Sequence, residues 1–279
     1  MLDAHVHLWD LDRVHLSWFR PDLALPRVVT AEDLARASRG AVEAAVAVQA
    51  GDTLGEAEWL AGHAATHPII PAIVLQYEAG RPWAGIVQPV VDASTRSDAP
   101  HPRVAGIRVP TPQGAADLSD VRGLDRLADG LATSGLVLEL LIRPDQLPAA
   151  AALAARHPEL TVVICHLGLG RGTPDATWRR GLDAIAAHDR VLAKLSGLHA
   201  DGDDAARVAG IAATAFDALG PDRLMFGSDW PMSARVAPYP EIVERTADAL
   251  PELDATAADA FWHGTAARAY ALPAPADVR

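Results

Sequence analysis

Two histidines stand two residues apart near the start of the chain, in Leu2-Asp3-Ala4-His5-Val6-His7-Leu8. Side chains at i and i+2 of a strand lie on one face, so His5 and His7 converge at a strand end. Neutral imidazole is the commonest protein ligand for a catalytic divalent ion and also moves protons near neutral pH. The alternative is a short polar strand with two hydrogen-bonded histidines. Far along the chain, Leu224-Met225-Phe226-Gly227-Ser228-Asp229-Trp230-Pro231 ends a second apolar run on a carboxylate. Gly227 and Pro231 predict a tight bend around Asp229, with Trp230 walling off solvent. A turn or N-cap aspartate is the bland reading there.

Other strand-like runs carry more ionisable residues. His166 follows Thr161-Val162-Val163-Ile164-Cys165 and precedes Leu167-Gly168-Leu169-Gly170, which suits a substrate approaching the backbone; a capping or core histidine is the alternative. Lys194, the only lysine, sits inside Val191-Leu192-Ala193-Lys194-Leu195-Ser196-Gly197-Leu198. Lysine normally seeks the surface, so there it orients a substrate carboxylate or oxyanion, or pairs internally with Glu139 or an aspartate. Arg108, in Ala105-Gly106-Ile107-Arg108-Val109-Pro110, is a candidate anion or hydroxyl clamp, or else a rim salt bridge. Glu139 and Arg143 share parity at another strand end. So many ionisable groups are costly to bury unless they pair, bind metal or meet ligand. The remaining histidines read as surface residues, His199 being a weak exception. Glu56 reads as a solvated charge and Trp59 as a core aromatic.

The elements that must position these groups alternate. Short β-branched runs at 2–9, 44–50, 70–76, 104–109, 136–142, 161–166, 190–195 and 223–227 predict strands. Ala/Leu-rich stretches at 30–39, 54–66, 82–94, 119–134, 144–156, 175–188, 203–219 and 239–250 predict helices. Thr30 is an N-cap signal and Gly135 a stop signal. In the third unit Trp83, Ile86, Val87, Val90 and Val91 fall at helical spacing, but Pro89 interrupts it, and a strand at 85–92 is the competing reading. A last helix near 255–269 has no strand after it and is expected under the barrel. Eight βα units close most simply as an α/β (β/α)8 TIM barrel with an extra C-terminal helix, with active-site groups at the C-terminal strand ends. One domain over 1–279 is expected, with 273–279 as a disordered tail.

Composition narrows the class. The chain has 279 residues, half of them hydrophobic, and a formal net charge of −12, which disfavours a nucleic-acid partner. One cysteine, Cys165, excludes an intrachain disulfide and suits a reducing cytoplasm. There is no signal-peptide pattern and no run long enough for a membrane span. A soluble cytoplasmic protein with a small-molecule substrate is expected; its assembly is left open, a homodimer being one option.

Taken together, the motifs resemble the amidohydrolase superfamily, and within it the amidohydrolase-related group that includes L-fuconolactonase, L-rhamnonolactonase and 2-pyrone-4,6-dicarboxylate lactonase. Asp3-Ala4-His5-Val6-His7-Leu8-Trp9-Asp10, Cys165-His166-Leu167-Gly168, Lys194-Leu195-Ser196-Gly197-Leu198, Met225 to Pro231 and Gly264 to Tyr270 carry the resemblance along nearly the whole chain. It implies a catalytic cluster of His5, His7, His166 and Asp229, with Asp229 as general base toward water. The same four residues would hold one divalent ion, zinc first, although metal is not always required in this branch. Arg108, Lys194, Glu139, Arg143 and Trp230 are the expected substrate-binding residues. Three departures border the pocket: Cys165 where an aspartate is usual, Leu169-Gly170 in place of a proline after His-Leu-Gly, and no histidine after Arg108. No lysine stands near Arg108's strand end, which argues against a binuclear site.

The leading expectation is a lactonase acting on a sugar or carboxylated lactone. The nearest rival is a metal-dependent decarboxylase of an aromatic or unsaturated acid, which needs no attacking water and an apolar, planar pocket. A non-catalytic ligand-binding barrel would predict loss of a cluster residue, and all four are present.

Overall fold

Alternation of inward and outward residues shapes the wall of the protein. In the computed structural model, residues 1–78, 81, 82, 84–94, 103–200, 202 and 205–272 are described. Among the described residues ten strands form: β1 (Leu2–Val6), β2 (Trp9–Asp10), β3 (Val28–Val29), β4 (Ala44–Val48), β5 (Ala72–Gln76), β6 (Arg103–Pro110), β7 (Val137–Leu141), β8 (Val162–Ile164), β9 (Val191–Leu195) and β10 (Leu224–Phe226). β2 and β3 make a separate antiparallel ribbon. The other eight form one parallel sheet in the order β1-β4-β5-β6-β7-β8-β9-β10. Past β10 the sheet returns to its start: Val6 bridges Trp230, His7 N–H donates to Trp230 O at 2.8 Å, and Asp229 N–H donates to His5 O at 2.9 Å. The expected eight-stranded barrel is the observed one.

Helices α1 (Ala31–Ala37), α2 (Leu54–Ala65), α3 (Ala84–Ser94), α4 (Leu124–Ser134), α5 (Leu147–Arg156), α6 (Ala176–Ala186), α7 (Ala205–Leu219) and α8 (Tyr239–Ala249) cover the wall. Thr30 caps α1 in a capping box with Asp33, and Gly135 ends α4 at φ 63°. Residues 85–92 are helical, so the competing strand does not form. Val90 is fully buried, and that packing outweighs the N–H that Pro89 lacks inside α3. Trp83 and the expected tail 273–279 lie outside the described residues. Among the described residues no helix is long and apolar enough to cross a membrane.

Two apolar layers result. Outward residues such as Ala45, Ile73, Leu75, Leu138 and Phe226 pack with the helices, while Leu2, Ala4, Val46, Val74 and Met225 form an inner floor. Ala266 and Tyr270 join that floor from the C-terminal segment, which is helical over α9 (Ala255–Asp259) and α10 (Thr265–Ala269) around a π turn at Ala260–Gly264.

β1 contains one irregularity with consequences. Its register runs Leu2↔Ala44 and Asp3↔Ala45, then jumps to Val6↔Ala47, an extra residue on the β1 side. Such a bulge changes which side chains face inward. Leu2 and Ala4 therefore line the floor, while His5 and His7 face the interior at the rim.

Close packing between neighbouring strands is testable at Gly106. A Cβ there would lie 2.4 Å from Val137 Cγ2 and 2.6 Å from the Val137 carbonyl oxygen. Gly106→Ala should cost about 1–3 kcal/mol of stability in urea unfolding.

Candidate active site

At the C-terminal end of the barrel, three imidazoles surround one carboxylate. Asp229 Oδ1 lies 3.8 Å from His5 Nε2, 3.8 Å from His7 Nε2 and 3.9 Å from His166 Nε2. His5 and His7 Nε2 are 3.2 Å apart. The backbone turns sharply to present two members of this set. Asp229 has φ 58°, His166 has φ 53° and Leu167 has φ 56°, all left-handed and unfavourable for non-glycine residues. Gly168 (φ 62°) and Gly170 (φ 56°) continue the turn after His166, where glycine adopts that conformation freely.

Each imidazole has its outer nitrogen engaged. His7 Nδ1 donates to Val48 O at 2.7 Å, leaving Nε2 as an acceptor. His166 Nδ1 meets Ser196 Oγ at 2.8 Å. His5 Nδ1 lies 3.2 Å from Lys194 Nζ, which forms an ion pair with Glu139 at 2.7 Å. An ammonium only donates, so His5 Nδ1 accepts and the ring proton sits on Nε2, facing the His7 Nε2 lone pair. These tautomers follow from the hydrogen-bond network.

Burial sets the protonation states. It holds His5 and His7 well below the usual imidazole range, with Lys194 and Arg108 adding repulsion, and holds His166 down to about 3. All three rings are neutral at pH 7. Burial also pushes the Asp229 carboxyl up to about 7, against the pull of Arg171 and Arg108. Asp229 is thus poised between acid and base at neutral pH.

Beneath the cluster, Glu139 also accepts from Tyr270 Oη at 2.6 Å and from Cys165 Sγ at 3.3 Å. Above it opens a cavity of about 340 Å³ whose walls include Arg108, Gln76, Trp18, Leu141 and Met232. Arg108 Nη2 donates to Gln49 O at 2.6 Å and Gln76 Oε1 at 3.1 Å, whereas the buried Nε has no partner among the described residues.

With this geometry in place, likeness to known proteins becomes informative. A family model described as amidohydrolase matches residues 2–272. The chain belongs to the amidohydrolase family. An L-fucono-1,5-lactonase of Burkholderia multivorans is 38% identical over 187 residues, which span 58% of this chain and 62% of that protein. An L-fucono-1,5-lactonase of Burkholderia ambifaria is 31% identical over 242 residues, covering 83% of this chain and 80% of the relative. A crystal structure of an amidohydrolase from Burkholderia multivorans with bound zinc superposes with a TM-score of 0.82 at 30% identity, covering 98% of this chain and 99% of the other.

Within this amidohydrolase, the sequence-predicted residues fall into two sets. His5, His7, His166 and Asp229 come together, and Arg108 lines the cavity above them. Four others do not reach it. Glu139 and Lys194 are fully buried and bind each other, which was the alternative reading of Lys194. Arg143 instead anchors a loop, donating to Pro112 O and Gly114 O at 2.8 Å and pairing with Asp145. The Trp230 ring is buried in the apolar core, and Trp18 and Met232 line the cavity in its place. His199 faces Thr246 at 3.2 Å. Glu56 is 1% exposed, the opposite of a solvated charge. Asp3, Gln49, Gln76 and Trp18 have structural parts that no spacing rule in the sequence singled out.

The donor set suits one divalent ion. Neutral imidazoles and a carboxylate are zinc ligands, and the donor atoms of His5, His166 and Asp229 all lie within 4.8 Å of one another, with His7 Nε2 3.2 Å from His5 Nε2 and 3.8 Å from Asp229 Oδ1. His5 is the exception to full readiness, because its Nε2 carries the proton that Lys194 imposes. Asp229, held up to about 7, is half protonated at pH 7, so zinc titrated into the protein in two buffers of different ionisation enthalpy should release about half a proton per ion there and close to one at pH 6. Release of none at pH 6 would remove Asp229 from the ligand set.

Proposed function

We propose that this amidohydrolase opens a lactone ring by water activated at Asp229. The observation that carries the reading is a buried carboxylate, raised to about 7, facing three neutral imidazoles below an open cavity. A general base works best with a pKa near the operating pH.

In the attacking step Asp229 accepts a proton from water as the water oxygen bonds to the lactone carbonyl carbon. The former carbonyl oxygen becomes an oxyanion facing the imidazole cluster. Collapse breaks the bond to the ring oxygen, which takes the proton back from Asp229. The product is an open-chain hydroxy acid that ionises at neutral pH. His7 and His166 are fixed by Val48 O and Ser196 Oγ, so their Nε2 atoms hold position through these steps. Arg108, whose side chain lines the cavity, serves substituent oxygens of the substrate. A zinc ion held by His5, His7, His166 and Asp229 would supply Lewis-acid polarisation of the carbonyl.

The apolar part of the cavity, from Trp18, Leu141 and Met232, keeps decarboxylation of an aromatic acid as the second reading. Polar Gln76 and Arg108 on the facing wall favour the lactone. The lactonase relatives point the same way and make L-fucono-1,5-lactone the first substrate to try.

A pH-indicator assay against sugar γ- and δ-lactones and dicarboxylate lactones tests the proposal. Turnover is expected, with Asp229→Asn lowering kcat about 100- to 10,000-fold. No lactone hydrolysis above that of the variant, with carbon dioxide released from aromatic acids instead, would overturn it.

The pH profile follows from the raised carboxyl. Only the carboxylate form of Asp229 accepts a proton, so kcat/KM should be level above about 7. Below that it should fall about tenfold per pH unit. A profile flat down to pH 5 in the metal-free protein would show that Asp229 is not the base.

A further inference from the structure

One buried carboxylate has no part in the chemistry above. Glu56, in the first turn of α2, is 1% exposed and has no cationic side chain bonded to it. Instead it grips a main-chain loop. Its Oε1 accepts from Ala50 N–H at 2.8 Å and Gly51 N–H at 2.8 Å. Its Oε2 accepts from Gly51 N–H at 2.9 Å and from Gln49 Nε2 at 3.2 Å. The fit is tight: a Cβ on Gly51 would lie 2.7 Å from Glu56 Oε2.

The gripped segment, 49–51, leaves the end of β4 and builds one wall of the cavity. Gln49 O is the 2.6 Å acceptor for Arg108 Nη2. Gln49 Oε1 accepts from Gln76 N–H at 2.8 Å, and Gln76 Oε1 takes the second bond of Arg108 Nη2 at 3.1 Å. Ala50 O accepts from Trp18 Nε1 at 2.9 Å. Arg108 and Trp18 come from distant parts of the chain, yet both rest on these residues. Three of the loop's own donors converge on one carboxylate, so the loop has one position in which all are satisfied.

We propose that Glu56 is a positioning residue for substrate binding: its carboxylate fixes the 49–51 main chain and thereby the Arg108 guanidinium and Trp18 indole on the cavity wall. This rests on the reading that Arg108 holds the lactone's substituent oxygens. Glu56 touches no reacting atom and stands apart from Asp229 and the three imidazoles. Its influence therefore falls on KM and leaves the chemical step alone.

Glu56→Gln keeps shape but turns an amide N–H₂ toward donors, so the loop must shift. With the best lactone of the panel above, KM should rise about tenfold while kcat stays within about twofold. In an Arg108→Gln background the same change should add almost nothing, since neighbours that act through one another are not additive. A merely structural glutamate would lower thermal stability equally in both backgrounds and leave KM unmoved, which would overturn the proposal, as would full additivity. Glu56→Asp serves where Glu56→Gln fails to fold, with a smaller rise in KM expected. A second readout needs no turnover: the ¹⁵N–¹H signal of Arg108 Nε, identified by its loss in Arg108→Gln, should shift in Glu56→Gln. If that signal moves but no lactone is hydrolysed, the positioning role stands and the lactone reading fails; if it does not move, the positioning role fails.

Discussion

Everything at the rim depends on the carboxylate of Asp3. It is fully buried and accepts from His5 N–H at 3.0 Å, Ser228 N–H at 2.9 Å and Tyr239 Oη at 2.8 Å. The first bond holds the bulge that turns His5 inward, and the second holds the bend that delivers Asp229. One side chain thus sets two members of the cluster against each other across the junction of first and last strands. Burial raises its own carboxyl pKa, and its charge in turn helps keep that of Asp229 high. Position and proton affinity at the site come from the same contact.

A second buried system supports the cluster from below. Glu139, Lys194, Tyr270 and Cys165 would be expensive as isolated groups in an apolar barrel. Linked, they satisfy one another, and burial with Glu139 alongside raises the Tyr270 and Cys165 pKa values so that both stay protonated donors. The ion pair also dictates the tautomer of His5. The floor of the barrel is therefore apolar in its lining and polar along its axis, where a line of hydrogen bonds runs from Tyr270 through Glu139 and Lys194 to His5.

The sequence displayed the barrel well, since its strands and helices carry their own periodicity and their own stop signals. The four cluster residues were legible because each ends an apolar run, where a polar group has few structural excuses. Lys194 was visibly anomalous, but whether it faced substrate or Glu139 depends on a distance across the barrel that no local pattern encodes. Parity misled at Arg143, because the chain leaves strand geometry at Leu141 and the side chain turns to a loop. Trp230 misled because its backbone, held by His7, is at the site while its ring is not. Glu56 lies on a helix between Gly55 and Ala57, and nothing in that pattern reveals that main-chain donors await it.

The junctions just described join residues far apart along the polypeptide: position 3 with 228 and 239, and position 139 with 270. Contacts of such separation form late and slow a fold. During synthesis β1 emerges first and its outer edge must wait, unpaired, for the segment after β10. The last described helix must then arrive before Glu139 gains its tyrosine. A chain still attached to the ribosome short of that point has its histidines but not the arrangement that makes them a site. Such a chain carries an exposed strand edge and buried charges only half satisfied, the state most in need of chaperone protection.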